Sequence, residues 1–278
     1  MAWEHEREVI KQTASPITKN QLITDLQNTG LHHGDTVIVH SSLSKMGWII
    51  GGANAVIEAL QDLLTSEGTL VMASHSSGNS DPTHWQYPPV PKDWIPIIKA
   101  DMLPYNPATT PTRGIGTVPE VFRKYPSILR SAHPQISVVA WGKNAKRIVE
   151  THPLSPGFGE TTPYEKLYLL NSKVLLLGVD HTNNTMLHHA EWKADLPNHP
   201  KQSQGAAILR GGERIWATWE DIEDDDEDFL KVGHAYEASI NYHPATVGNA
   251  TAKLLPLPGL IDFAVSWFRQ NRHYPKSN

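Results

Sequence analysis

The chain has 278 residues, 39% of them apolar and 9 of them Trp, enough to bury a large core in one α/β domain or two smaller ones. The lack of cysteine excludes disulfides, thiolate metal sites and a cysteine nucleophile; a net charge of -5 with scattered Lys and Arg leaves no footprint for nucleic acid and suits a cationic small molecule. No apolar run approaches the roughly 20 residues that cross a bilayer, and MAWEHEREVIKQTASP lacks the apolar stretch of a signal peptide, so a cytoplasmic protein with no membrane partner is expected.

Thr18 followed by Gln21 fits a capping box, and Leu22, Ile23 and Leu26 recur with helical spacing, which predicts a helix from about Lys19 to Thr29. TVIVHSS (36–42) reads as a strand, the glycine-rich GWIIGGANAVIEALQDLL as a turn and a helix to about Leu64, and TLVMAS (69–74) as a second buried strand. This strand–helix–strand order predicts parallel pairing. From Ser76 to Pro111 periodicity is lost, and a segment of that length is expected to be an ordered cover with short helical turns. VPEVFRKY then predicts a short helix, ISVVAWG a strand and KNAKRIVETH a helix. TPYEKLYLL predicts another helix, with Thr162 as cap and Pro163 in the first turn. KVLLLGV (173–179) is the most apolar strand. AAILRGGERIWATW alternates on either side of Gly211 and Gly212 and predicts a hairpin, EDIEDDDEDF is an acidic run, and GLIDFAVSWFRQ predicts a closing amphipathic helix. Residues 1–278 are therefore expected to form a single α/β domain with an antiparallel elaboration towards its end.

The candidate chemistry lies in NNTMLHHAEWKA, which follows KVLLLGVDHT. With Asn184 as cap, His188 and Glu191 share one face of the first turn, and a carboxylate on one ring nitrogen fixes the tautomer and raises the basicity of the other. His189 turns about 100° away and reads as a packing residue. The same spacing also suits a buried histidine satisfied by a helix-mate, but the carboxyl end of a buried strand is where open α/β sheets build ligand crevices. His40, ahead of Ser41 and Ser42, stands at a second strand end; it is a site residue or a histidine bonded to backbone. In PTRGIGTVPE, Arg113 with Gly114 and Gly116 before a helix start can hold a phosphate, although turns require glycine for other reasons.

Other motifs are missing. There is no third glycine of a dinucleotide fingerprint, no P-loop, no Gly-x-Ser-x-Gly elbow and no His-Glu-x-x-His. His181, His188 and Glu191 make a legitimate donor set for a metal-dependent hydrolase, separated by a turn. The acidic run is a solvated loop or a collar that attracts polyamines.

HSSLSKMGWIIGGA, TLVMAS, NPATTPTRGIGTVPEVFR, LRSAHPQISVVAWG and LLLGVDHTNNTMLHHAE, in this order, resemble the aminoglycoside 3-N-acetyltransferase (antibiotic N-acetyltransferase) family over most of the chain. The resemblance implies that family's α/β fold, distinct from the GNAT fold: a central, mostly parallel sheet flanked by helices, with the antiparallel elaboration in the C-terminal third. It implies acetyl transfer from acetyl-CoA to the 3-amino group of a 2-deoxystreptamine antibiotic, without metal. His188 then matches the general base and Glu191 its partner, with Thr185 a hydroxyl beside them and His40 close to the cofactor. Ser41, Ser42, Leu43, Arg113, Gly114, Gly116, Thr117 and Ser131 match segments lining the CoA site, and Phe158 its pantetheine wall. Asn184, Glu223 and Asp228 become candidates for holding the amine. Asp180 stands where many members have glycine, and ASHSSGNSDPTHW and the insert containing PPVPKDW also depart from the family's pattern. These departures lie on the acceptor side, so another small amine is the alternative substrate.

Overall fold

The computed structural model describes residues 2–275. The elements begin with helices α1 (Ala2–Lys11) and α2 (Lys19–Asn28), strand β1 (Thr36–Ser41), α3 (Gly52–Leu64) and β2 (Thr69–Ala73). After the covering segment with α4 (Ile95–Asp101) come α5 (Thr117–Phe122), β3 (Leu129–Arg130), β4 (Val138–Gly142), α6 (Ala145–Val149), α7 (Pro163–Leu169) and β5 (Lys173–Leu177). The last third holds α8 (Met186–Ala194), β6 (Lys201–Arg210), β7 (Glu213–Ile222), α9 (Phe229–Ser239), β8 (Ala245–Val247), β9 (Ala250–Pro256) and α10 (Leu257–Asn271).

Among the described residues seven strands form one sheet in the order β3-β4-β2-β1-β5-β9-β8. β1 pairs in parallel with β2 and β5, as a strand–helix–strand order dictates, while β4 and β9 run against their neighbours. Five of the seven strands thus point the same way, and the sheet is mostly parallel in direction. Its centre is apolar on both faces because helices cover both. Val37, Val39, Leu70, Met72, Leu175 and Leu177 pack under α2, α3 and α5. Ile38, Val71, Val174 and Leu176 pack under α6, α7, α8, α9 and α10. Burying each such side chain contributes about 1.5–3 kcal/mol.

Local signals act as expected at two helix starts: the Thr18 hydroxyl accepts from Gln21 N–H and that of Thr162 from Glu165 N–H. The hairpin forms a separate two-stranded sheet of β6 and β7, whose turn residues Gly211 and Gly212 both have positive φ, as a two-residue turn of this hand requires. The covering segment is ordered against this hairpin: Tyr105 N–H donates to the Ala207 carbonyl, and Arg214 donates to the Met102 carbonyl. No helix among the described residues is long and apolar enough to cross a membrane.

α9 was not legible as a helix, yet its buried Phe229, Val232, Gly233 and Tyr236 follow helical spacing. Gly233 interrupts the pattern for a packing reason: a Cβ there would sit 2.0 Å from Cγ of the fully buried His181 ring. Gly233→Ala improves intrinsic helix propensity by about 1 kcal/mol, but the overlap costs about 1–3 kcal/mol. The expected net result is a lower urea midpoint.

Candidate active site

The carboxyl ends of β1, β2 and β5 open into a cleft of about 1020 Å³. β1 delivers His40 and Ser41, followed by Ser42 and Leu43; the turn before α5 delivers Gly114 and Gly116, and α5 opens with Thr117; the segment after β5 delivers Asn184 and Thr185, and the first turn of α8 delivers His188. The sequence motifs, far apart along the chain, are brought together by the parallel order of β2, β1 and β5. His40 Nε2 and Ser41 Oγ are buried without a protein partner at the cleft floor, and a Cβ on Gly114 would meet nothing within 4 Å, so the backbone there is open to close approach by a ligand. These features suit a long polar ligand such as a CoA thioester.

In the wall of the cleft, His188 Nδ1 lies 3.0 Å from Glu191 Oε2, one helical turn along α8. The imidazole is held between the rings of Phe158, at 4.8 Å, and Phe229, at 4.7 Å. With Nδ1 committed to the carboxylate, Nε2 is the nitrogen free to exchange a proton with a ligand. Burial alone would lower the basicity of this ring, but the Glu191 hydrogen bond and the charges of Asp224, Glu191 and Asp226 outweigh it and raise its pKa above 6.5. α8 starts one residue later than expected: the helix begins at Met186, and the Asn184 side chain accepts from Met186 N–H at 3.3 Å. The facing of His188 and Glu191 survives that shift.

Glu191 is fully buried and fully used. Its Oε1 accepts from Asp225 N–H at 3.1 Å and from the Arg272 guanidinium, which also holds Asp228. Asp224 Oδ1 stands 3.9 Å from His188 Nδ1. Its side chain is half buried, with 47% of it exposed. That partial burial, opposed by His188 and reinforced by Glu191 and Asp221, raises its pKa to about 6.

Of the other imidazoles that line the cleft, His40 and His75 are both neutral at pH 7. Burial lowers His40 to about 4; burial, with the nearby His188, His40, His133 and Arg130, lowers His75 to about 3. The Tyr164 hydroxyl donates to the Ile136 carbonyl and so must accept from His75 Nε2, 3.2 Å away; the His75 Nδ1 is then a bare acceptor. His75 was missed in the sequence, although it follows the end of β2 by two residues, the signal that singled out His40.

Other expected residues have different surroundings. Ser131 is buried away from the cleft: its hydroxyl accepts from Val138 N–H and donates to His152 Nδ1. Phe158 packs on His188, and its carbonyl accepts from His189 Nδ1 at 2.7 Å; His189 is fully buried, with its Nε2 2.9 Å from Glu165 Oε2. Exposed Arg113 flanks the cleft, its N–H on the His75 carbonyl. Asp228 is committed to Arg272, and the Glu223 N–H continues the hairpin onto the Pro200 carbonyl, so the loop between β7 and α9 turns Asp224 towards His188 and Asp226 into the cleft. Asp180, in place of glycine, accepts from Thr182 N–H and hydroxyl and shapes the turn into α8. His181 leaves the donor set considered for a metal: its Nε2 is 2.8 Å from Glu237 and its Nδ1 faces Asn184. Donor atoms of His188, Glu191 and Asp224 lie within 4.8 Å of one another instead.

Comparisons with known proteins match this chain in both sequence and fold. The aminoglycoside 3-N-acetyltransferase profile matches residues 38–269. The SPbeta prophage-derived aminoglycoside N(3')-acetyltransferase-like protein YokD of Bacillus subtilis (strain 168) is 45% identical over 95% of this chain and 97% of its own. The crystal structure of YokD covers 95% of this chain and 98% of its own, with a TM-score of 0.93. Aminoglycoside N(3)-acetyltransferase VII of Streptomyces paromomycinus is 31% identical over 95% of this chain and 96% of its own. The structure of AAC-IIIb in binary complex with CoASH is 28% identical, covers 95% of this chain and all of its own, and has a TM-score of 0.83. The chain belongs to the aminoglycoside 3-N-acetyltransferase family, a class of acyltransferases.

Proposed function

We propose that this protein is a cytoplasmic acetyltransferase that moves the acetyl group of acetyl-CoA directly to the 3-amino group of a 2-deoxystreptamine aminoglycoside. The observation that carries this reading is the His188 ring, packed against Phe158 and Phe229 and tied through Nδ1 to Glu191, in a cleft lined by Ser41, Ser42, Leu43 and Gly116. The acceptor nitrogen attacks the thioester carbonyl, a C–N bond forms, and the C–S bond breaks. His188 Nε2 takes the proton from the amine, and the departing CoA thiolate recovers it from His188, directly or through the Thr185 hydroxyl in the same cleft. An amine near pH 7 is mostly protonated, so a base at the point of attack is a chemical requirement.

Neutral His40 has a buried nitrogen to offer the bound thioester and, being uncharged, does not repel a cationic acceptor. Asp224 and Asp226, with Asn184, take the place of Glu223 and Asp228 as the groups that receive that cation. We read the His188–Glu191–Asp224 cluster as an acid–base group without a metal, because a guanidinium already occupies Glu191 Oε1 and its charge repels a second cation. Release of free CoA, measured with acetyl-CoA against a panel of 2-deoxystreptamine aminoglycosides, tests the reading. Turnover with 3-amino acceptors is expected; silence across the panel with retained CoA binding would transfer the assignment to another small amine.

A further inference from the structure

We propose that Arg272, on the segment that leaves α10, is a positioning residue for the catalytic base: it holds the Glu191 carboxylate in place so that His188 Nε2 faces the bound thioester. The proposal rests on His188 being the base. Arg272 reaches the site from the far end of the chain and is itself tightly held. Its N–H caps α10 through the Phe268 carbonyl, its guanidinium lies 4.1 Å above the Phe268 ring, and its Nε donates to Asp228 Oδ2 at 2.8 Å. Nη2 donates to the Asp225 carbonyl at 2.6 Å as well as to Asp228, which leaves Nη1 for Glu191 Oε1.

A single planar fork therefore joins α10, the acidic loop and α8, something a lysine ammonium cannot reproduce. The division of labour on Glu191 follows: Oε1 goes to Arg272 and Asp225 N–H, and Oε2 is left to the imidazole. Glu191 has no exposed surface, so without Arg272 it becomes a buried carboxylate whose one remaining strong partner is His188. It would then bind the proton of the pair more tightly, on itself or on the ring.

The charged and titratable groups around this pair are Asp224 and Asp226 from the acidic loop, His75 from the end of β2, His199 with its Nε2 3.9 Å from Glu191, and Tyr274 stacked on His199. Of these, His75 is neutral and both aspartates act in the direction of proton retention. Arg272 is the cation that opposes them at Glu191.

The test compares full-length wild type, Arg272→Met and Arg272→Lys by kcat/KM against pH with acetyl-CoA and an aminoglycoside, and by NMR titration of the His188 ring. In Arg272→Met the acid limb and the ring titration should both move up by roughly one pH unit, which lowers kcat/KM about tenfold at pH values below the limb. Arg272→Lys should show a smaller shift of the same sign, and the KM for acetyl-CoA should stay within about twofold, because CoA-side contacts are untouched. Melting temperatures that fall while neither titration moves would reduce Arg272 to a structural brace and overturn the proposal. Should the Met variant not fold, an unmoved titration in Arg272→Lys overturns it equally. If wild type turns over no aminoglycoside, the NMR titration still reads the effect of Arg272, whereas activity of His188→Asn bears on the base alone.

Discussion

His188→Asn is expected to lower kcat by about a hundred- to ten-thousand-fold with acetyl-CoA binding retained, because a positioned general base contributes that much to proton transfer. Asparagine keeps a polar group between Phe158 and Phe229 but cannot take a proton, so the loss reports the chemistry and not the packing. Steady-state turnover with free CoA as readout, beside calorimetric titration with CoA, separates the two; near-wild-type turnover rejects the assignment. The wild-type pH profile is part of the same prediction. The base works only when neutral, and the influence of Glu191, Asp224 and Asp226 raises the ring above 6.5. kcat/KM should therefore rise with pH through an apparent pKa above 6.5 before it levels.

Glu191→Gln is expected to shift that limb the opposite way from Arg272→Met. Without the carboxylate, burial dominates the His188 ring and its pKa drops, so the limb moves to lower pH. The plateau should fall roughly ten- to a hundredfold, as ring orientation and the stabilisation of the imidazolium are both weakened. Stability should fall too. Breaking a buried ion pair by removing one partner costs about 3–5 kcal/mol, and here the Arg272 guanidinium is left facing an amide, with Asp228 as its remaining carboxylate. A profile whose limb does not move under this substitution would show that Glu191 has no electrostatic hold on the base.

Much of this centre was readable in the residue order because it is built from local patterns. His188 and Glu191 lie three apart on one helix, so their contact depends on helical geometry alone and tolerates the one-residue error in where α8 starts. Strand-end placement pointed to His40 for a reason equally local. α9, by contrast, was hidden because Gly233 is chosen by the His181 ring across from it, and helix propensity cannot register a contact that distant in sequence. β9 was hidden because its pairing with β5 crosses more than seventy residues and its sequence runs straight into α10.

The acidic run shows the same limit most clearly. Its composition left a solvated loop or a negative collar open, and nothing in it distinguishes Asp224, which faces His188, and Asp226, which lines the cleft, from Asp228, which is spent on Arg272. Residue order alone specified the α/β class, the His188–Glu191 pair and the strand-end motifs, since each is set by periodicity or by spacing within a few residues. Only packing between elements set that an arginine 81 residues from Glu191 anchors it, that His75 joins the cleft neutral, and that Asp228 is spent on Arg272 while Asp226 lines the cleft. Those outcomes depend on which side chains share a desolvated space, and that is settled by packing between elements.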